Sequence, residues 1–198
     1  MVNETAPALG AAFVPSAAPI VFAGIWRFTL VSIAGFAPWV VTGGWFYRHV
    51  GEAGLYLACL LAFLVAALVL LPGLLSGPRR VQRTAMYFLP AFITYALLWC
   101  ACWFLLGGRL GEWAGAISGG SAFVLISAWL LGRPRSLLLA LVVFVAAHAV
   151  GYFAGGQAMH LLLSAGTAKA LGMLAWGVCY GLGFGAGLGW LVAACVSR

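Results

Sequence analysis

Residues 168–195 read AKALGMLAWGVCYGLGFGAGLGWLVAAC, with Gly177, Gly181, Gly185 and Gly189 at every fourth position and Gly183 and Gly187 offset from them. In water an interior helical Gly costs close to ~1 kcal/mol relative to Ala, so a soluble chain would make a poor helix here. In a bilayer no water competes for the backbone, and an apolar stretch of this length must satisfy its own N–H and C=O groups as a helix. Glycines four apart clear one face of side chains and let a neighbouring helix approach closely. Gly177, Gly181, Gly185 and Gly189 are therefore the candidate helix-packing residues. Their partner is either another helix of this chain or a second copy.

The rest of the chain agrees with a membrane location. It is 65% hydrophobic and 7% charged, with a mean hydropathy of +1.12, whereas soluble domains run nearer ~45–50% apolar and ~25% charged. Asp is absent, and the acids are Glu4, Glu52 and Glu112 against ten Lys and Arg, a formal charge of +7. On a soluble domain that surplus would suggest nucleic acid. Here the bases fall in short connections between apolar spans, where membrane orientation requires them. Lipid is thus the expected partner, and no nucleic acid is expected. Cys59, Cys100, Cys102, Cys179 and Cys195 all lie in apolar spans without metal-ligand spacing. They read as polarizable packing residues, with no metal site or disulfide framework.

A spanning helix needs about 20 apolar residues. Six segments qualify: Ile20 or Gly24 to Phe46, Gly54 to Leu75, Thr84 to Leu106, Trp113 to Leu131, Ser136 to Gly155, and the glycine-rich stretch. The expected fold is an all-α polytopic transmembrane bundle. Residues 1–19, with Pro7, Pro15 and Pro19, read as an irregular leader, and 20–198 as a single six-helix domain. No basic region precedes Arg27, so a cleaved secretory signal is not expected. The fourth span, interrupted by AGAISGGSAF at 114–123, is expected to lie deepest in the bundle. Glycine pairs Gly43-Gly44, Gly107-Gly108 and Gly155-Gly156 close the odd-numbered spans, and Gly51-Glu52 and Gly111-Glu112 open the helices after the first two. This suggests three weakly repeated helical hairpins, although Gly, Trp and Arg gather at helix ends for independent reasons.

Arg79, Arg80 and Arg83 follow span two, and Arg133 and Arg135 follow span four. The positive-inside rule places these loops and both termini in the cytoplasm of a bacterial plasma membrane. Arg27 is expected to snorkel to that interface, or to use carbonyls freed near Pro38.

The candidate solute pathway lies on the opposite side. Arg48, Glu52, Arg109, Glu112, His160 and Lys169 come from all three connections there and could line a polar vestibule, with His49 and Gln157 beside them. Glu52 and Glu112 also suit the first turns of helices on electrostatic grounds alone. His148 is expected about 12 Å below that surface, at helical rise, if span five ends near Gly155. An ionisable group at such depth is a functional-site candidate, and a neutral imidazole satisfied by Ser or Tyr on a neighbouring helix is the bland alternative. Bis-His haem ligation is not expected, because His49 and His160 sit at the surface.

No phosphate-binding glycine loop, HExxH or intramembrane carboxylate pair is present, so no catalytic residue and no cofactor is assigned. The function class expected is a small transporter or channel-like protein for a neutral or anionic solute, as a homo-oligomer or alone. The alternatives are a non-catalytic integral subunit or assembly factor working with other membrane subunits, and a lipid-modifying or redox enzyme. The last lacks a visible metal or acid–base pair.

Overall fold

The computed structural model describes residues 17–196. The chain forms α1 (Ala18–His49), α2 (Gly51–Leu70), a 3-10 turn (Leu71–Leu74), α3 (Arg80–Leu106), α4 (Gly108–Leu131), α5 (Leu137–Ser164) and α6 (Lys169–Val196). Among the described residues there is no strand, and six helices are long and apolar enough to cross a membrane. The protein is an all-α integral membrane bundle. The leader expected at 1–19 falls mainly outside the described residues. Its last two residues, Ala18 and Pro19, already belong to α1, where a first-turn proline forfeits no helical hydrogen bond.

The connections are short. Gly51 at φ +80° and Gly107 at φ +63° hold backbone conformations that disfavour a Cβ, so α1 turns into α2, and α3 into α4, almost without a loop. The glycine pairs of the proposed repeat are not equivalent. Gly107-Gly108 makes the α3–α4 turn, whereas Gly155-Gly156 lies inside α5, which runs on to Ser164. Gly155 is a packing position rather than a terminator, since a Cβ there would strike Trp176. The expected end of span five at Gly155 is therefore corrected, and His148 moves deeper. It stands near the middle of α5, about 24 Å from Ser164 at helical rise.

Helix α6 is the spine. Its four-residue glycine run faces α1 of the same chain: a Cβ at Gly181 would lie 2.6 Å from Thr29 Cα, at Gly185 2.6 Å from the Gly24 carbonyl, and at Gly189 2.7 Å from Val21 Cα. At Gly177 the neighbour is Phe36, and Ser32 Oγ donates to the Gly177 carbonyl over 2.6 Å. The offset pair faces α5, with a Cβ at Gly183 coming within 2.7 Å of Gly151 Cα and at Gly187 within 2.9 Å of Phe144. Gripped on two sides, α6 is the most buried helix, with 61% of its apolar window buried against 44% for α4. The small residues of α4 had marked it as the deepest helix. Those of α6 meet main chain on both α1 and α5, whereas on the α5 side of α4 Gly120 meets only side chains.

Packing contacts run α2–α1–α6–α5–α4–α3, and the circle closes poorly because α2 and α3 touch sparsely. The core gathers on Phe28, which stacks on Phe184 at 4.2 Å and has Phe63, Phe88, Phe92 and Tyr180 within 6.4 Å. Arg27 does not turn to carbonyls near Pro38; its partner is on α2. Its guanidinium donates to the Leu70 carbonyl over 2.6 Å, packs on Gly73 and lies 4.4 Å from the Trp26 ring centroid. The 3-10 turn at Leu71–Leu74 takes over from the α-helix at that point, freeing a carbonyl at the negative end of α2 for a cation.

Backbone-to-backbone approach leaves no room for a methyl group at the α1–α6 contact. Gly185→Ala is expected to lower stability in detergent by about 1–3 kcal/mol, as overpacking does. Gly156→Ala, where nothing lies within 4 Å of the added carbon, is expected to melt like the parent or slightly higher. Indistinguishable melting temperatures for the two variants would refute this account of the spine.

Candidate functional site

The gap in the circle of helices is filled by a cavity of about 350 Å³, within the size range of small-molecule sites. It runs from Tyr47 and Glu52 at the loop end to Phe63, Phe92, Tyr95 and Tyr180 in the centre, with Tyr152 and Trp176 at the back. Two aromatic contacts between α2 and α3 frame it on that side: Tyr56–Phe104 at 6.0 Å near the loops and Phe63–Phe92 at 5.3 Å below. Between them the sides are Cys59 and Leu60 on α2 and Ala96 and Cys100 on α3, all lining the cavity. Leu57 and Leu97 also line it, yet are 56% and 64% exposed on the outer surface. The window is roughly 10 Å tall along α2 and 18 Å along α3 at helical rise.

At the inner end three polar side chains form a string. Tyr180 donates its hydroxyl to Tyr95 over 3.2 Å, and Tyr95 Oη lies 2.9 Å from His148 Nε2. Tyr95 Oη thus accepts from Tyr180 and pairs with Nε2, the donor of that second bond being set by the imidazole tautomer. His148 is fully buried and Nδ1 has no partner. It faces the space left by Gly120, where a Cβ would stand 3.8 Å away. The imidazole is therefore satisfied by Tyr on a neighbouring helix at one nitrogen and left unpaired at the other. His49 and His160 are exposed.

The structure divides the remaining pathway residues. Glu52 lines the aromatic cavity. Arg48 and Lys169 line a second, shallower depression of about 730 Å³ on the loop side, which shares Trp39, Tyr47 and Leu55 with the first. Glu112 accepts from Tyr152 Oη at 3.4 Å, a long bond that ties α4 to the cavity wall. Arg109, His160 and Gln157 are exposed and line neither space. Tyr95, Tyr152 and Tyr180 were missed in the sequence. Each carries a hydroxyl that must find a partner inside an apolar span, and that was the available signal.

Among the described residues no group of three or more His, Cys, Asp or Glu could hold a metal ion, and no disulfide joins the cysteines. The site's chemistry is that of an aromatic enclosure with a few oriented hydroxyls. Comparison with protein-family models, curated proteins and solved structures finds no match.

The string is also a stability element. Tyr95→Phe strands both His148 Nε2 and the Tyr180 hydroxyl, and is expected to cost about 2–6 kcal/mol at 1–3 kcal/mol per buried orphan. Tyr180→Phe leaves the Tyr95–His148 bond intact and is expected to cost about half as much or less. Denaturation of both variants in detergent measures the order, and a larger loss for Tyr180→Phe would contradict the donor sequence.

Proposed function

We propose that this chain is a small transporter of the plasma membrane that takes a solute from the bilayer through the α2–α3 window into the aromatic cavity. The observation that carries this reading is a cavity walled mostly by aromatic rings beside two sparsely packed helices, with the exposed Leu57 and Leu97 among its lining residues. A solute arriving that way is apolar over most of its surface, and the neutral class expected from the sequence fits the cavity better than the anionic one. Anions would find their counter-charges at Arg48 and Lys169, in the shallower depression. The arginines after α2 and α4 favour cytoplasmic termini, which turns Glu52 and the loop end of the cavity to the outside. The glycine face of α6 meets α1 and α5 of its own chain and gives no reason to invoke a second copy or a foreign subunit.

Access through the window is testable with the uncharged fluorescent probe N-phenyl-1-naphthylamine and the protein in lipid nanodiscs. Energy transfer from tryptophan is expected to saturate, with Trp39, Trp99 and Trp176 around the cavity as donors. Ala96→Phe, which narrows the window from the α3 side, should weaken it by about tenfold, an effect of 1.4 kcal/mol. A signal that never saturates, or that Ala96→Phe leaves unchanged, would rule out this cavity as the binding site.

A further inference from the structure

We propose that the cavity selects lipophilic organic cations, compounds with a quaternary or protonated nitrogen on an aromatic or aliphatic body. This rests on the solute-binding reading above and names its substrate class, against the overall basic charge of the chain.

Three observations on the cavity wall agree. First, eleven of its nineteen lining residues are aromatic, in a chain that is 14% aromatic. Ring faces carry negative potential and attract cations most strongly where water is excluded. The indole nitrogens of Trp99 and Trp176 are buried and unreachable, so these residues line the space with carbon rather than with N–H donors.

Second, two of the cavity's tyrosine hydroxyls spend their protons on other protein groups. Tyr180 donates to Tyr95 and Tyr152 donates to Glu112. The oxygens of Tyr152 and Tyr180 therefore offer the cavity lone pairs, which stabilise positive charge.

Third, the charges are sorted. Of the three acids in the chain, both that the structure describes attend this cavity, Glu52 on its wall and Glu112 through Tyr152. Among the described residues no Lys or Arg lines it. A cation entering a low-dielectric enclosure needs compensating charge, and Glu52 supplies it at the loop end of the cavity. Arg48 and Lys169 stand over the adjoining depression, where they repel a cation approaching from water. The window between α2 and α3 is therefore the cation's route.

The test compares two molecules of nearly identical shape, benzyltrimethylammonium and its uncharged carbon isostere neopentylbenzene. Calorimetric titration uses the full chain in nanodiscs, with empty nanodiscs subtracted. Benzyltrimethylammonium is expected to bind about tenfold more tightly than the isostere. Glu52→Gln is expected to erase most of that preference while leaving the isostere's affinity unchanged. Glu52 is exposed, so this variant should melt like the parent, and the melting curve verifies that it does. Equal or tighter binding of neopentylbenzene would overturn the cation preference and leave the solute-binding reading standing. A preference that survives Glu52→Gln in full would overturn the role of the carboxylate. Saturable binding of neither compound would overturn both readings.

Discussion

Everything in this bundle depends on how closely α6 can approach α1 and α5. Without a hydrophobic driving force between helices inside lipid, association rests on packing and on the few hydrogen bonds that packing permits. Glycine on one side is insufficient. At Gly185 the facing atom is the carbonyl of Gly24, and at Gly183 it is the backbone of Gly151, so both helices at each contact have given up their side chains. Main chain then rests on main chain, and Ser32 can reach the Gly177 carbonyl across the seam. Three helices become one rigid slab.

The same economy explains where the protein is loose. Small residues close the α1–α6, α5–α6 and α3–α4 seams; at the last, a Cβ at Gly111 would come within 2.8 Å of the Cys102 carbonyl. No comparable glycine serves the α2–α3 contact, which rests on the ring pairs Tyr56–Phe104 and Phe63–Phe92. Rings hold two helices apart at a distance their edges set, and space remains between them. The cavity is the residue of this contrast, a place where bulky aromatics enclose volume because no glycines collapse it.

The sequence made some of this legible and hid the rest for identifiable reasons. Hydropathy and the four-residue glycine period are local properties, and they place the spans and mark α6 as a packing helix. The end of α5 was misjudged because Gly155-Gly156 was read as a stop, whereas Gly155 makes room for Trp176 within a continuing helix. The partner of Arg27 lies 43 residues away at Leu70, and that of His148 lies 53 residues away at Tyr95. No spacing rule reaches across such distances. The cavity was hidden for the same reason, since its wall draws on α1, α2, α3, α5 and α6.

Net charge proved the least informative quantity about the site. A formal +7 describes the whole chain, but five of its arginines lie exposed in the α2–α3 and α4–α5 connections or at the first residues of α3. Exposed charges are screened by water and mobile ions over about 10 Å, whereas groups on a cavity wall act on its contents at short range and in a lower dielectric. Those groups are aromatic faces, the oxygens of Tyr152 and Tyr180, and the carboxylate of Glu52. A basic chain can thus carry an electronegative cavity, because its basic residues and the cavity's lining are different residues at different places along the same helices.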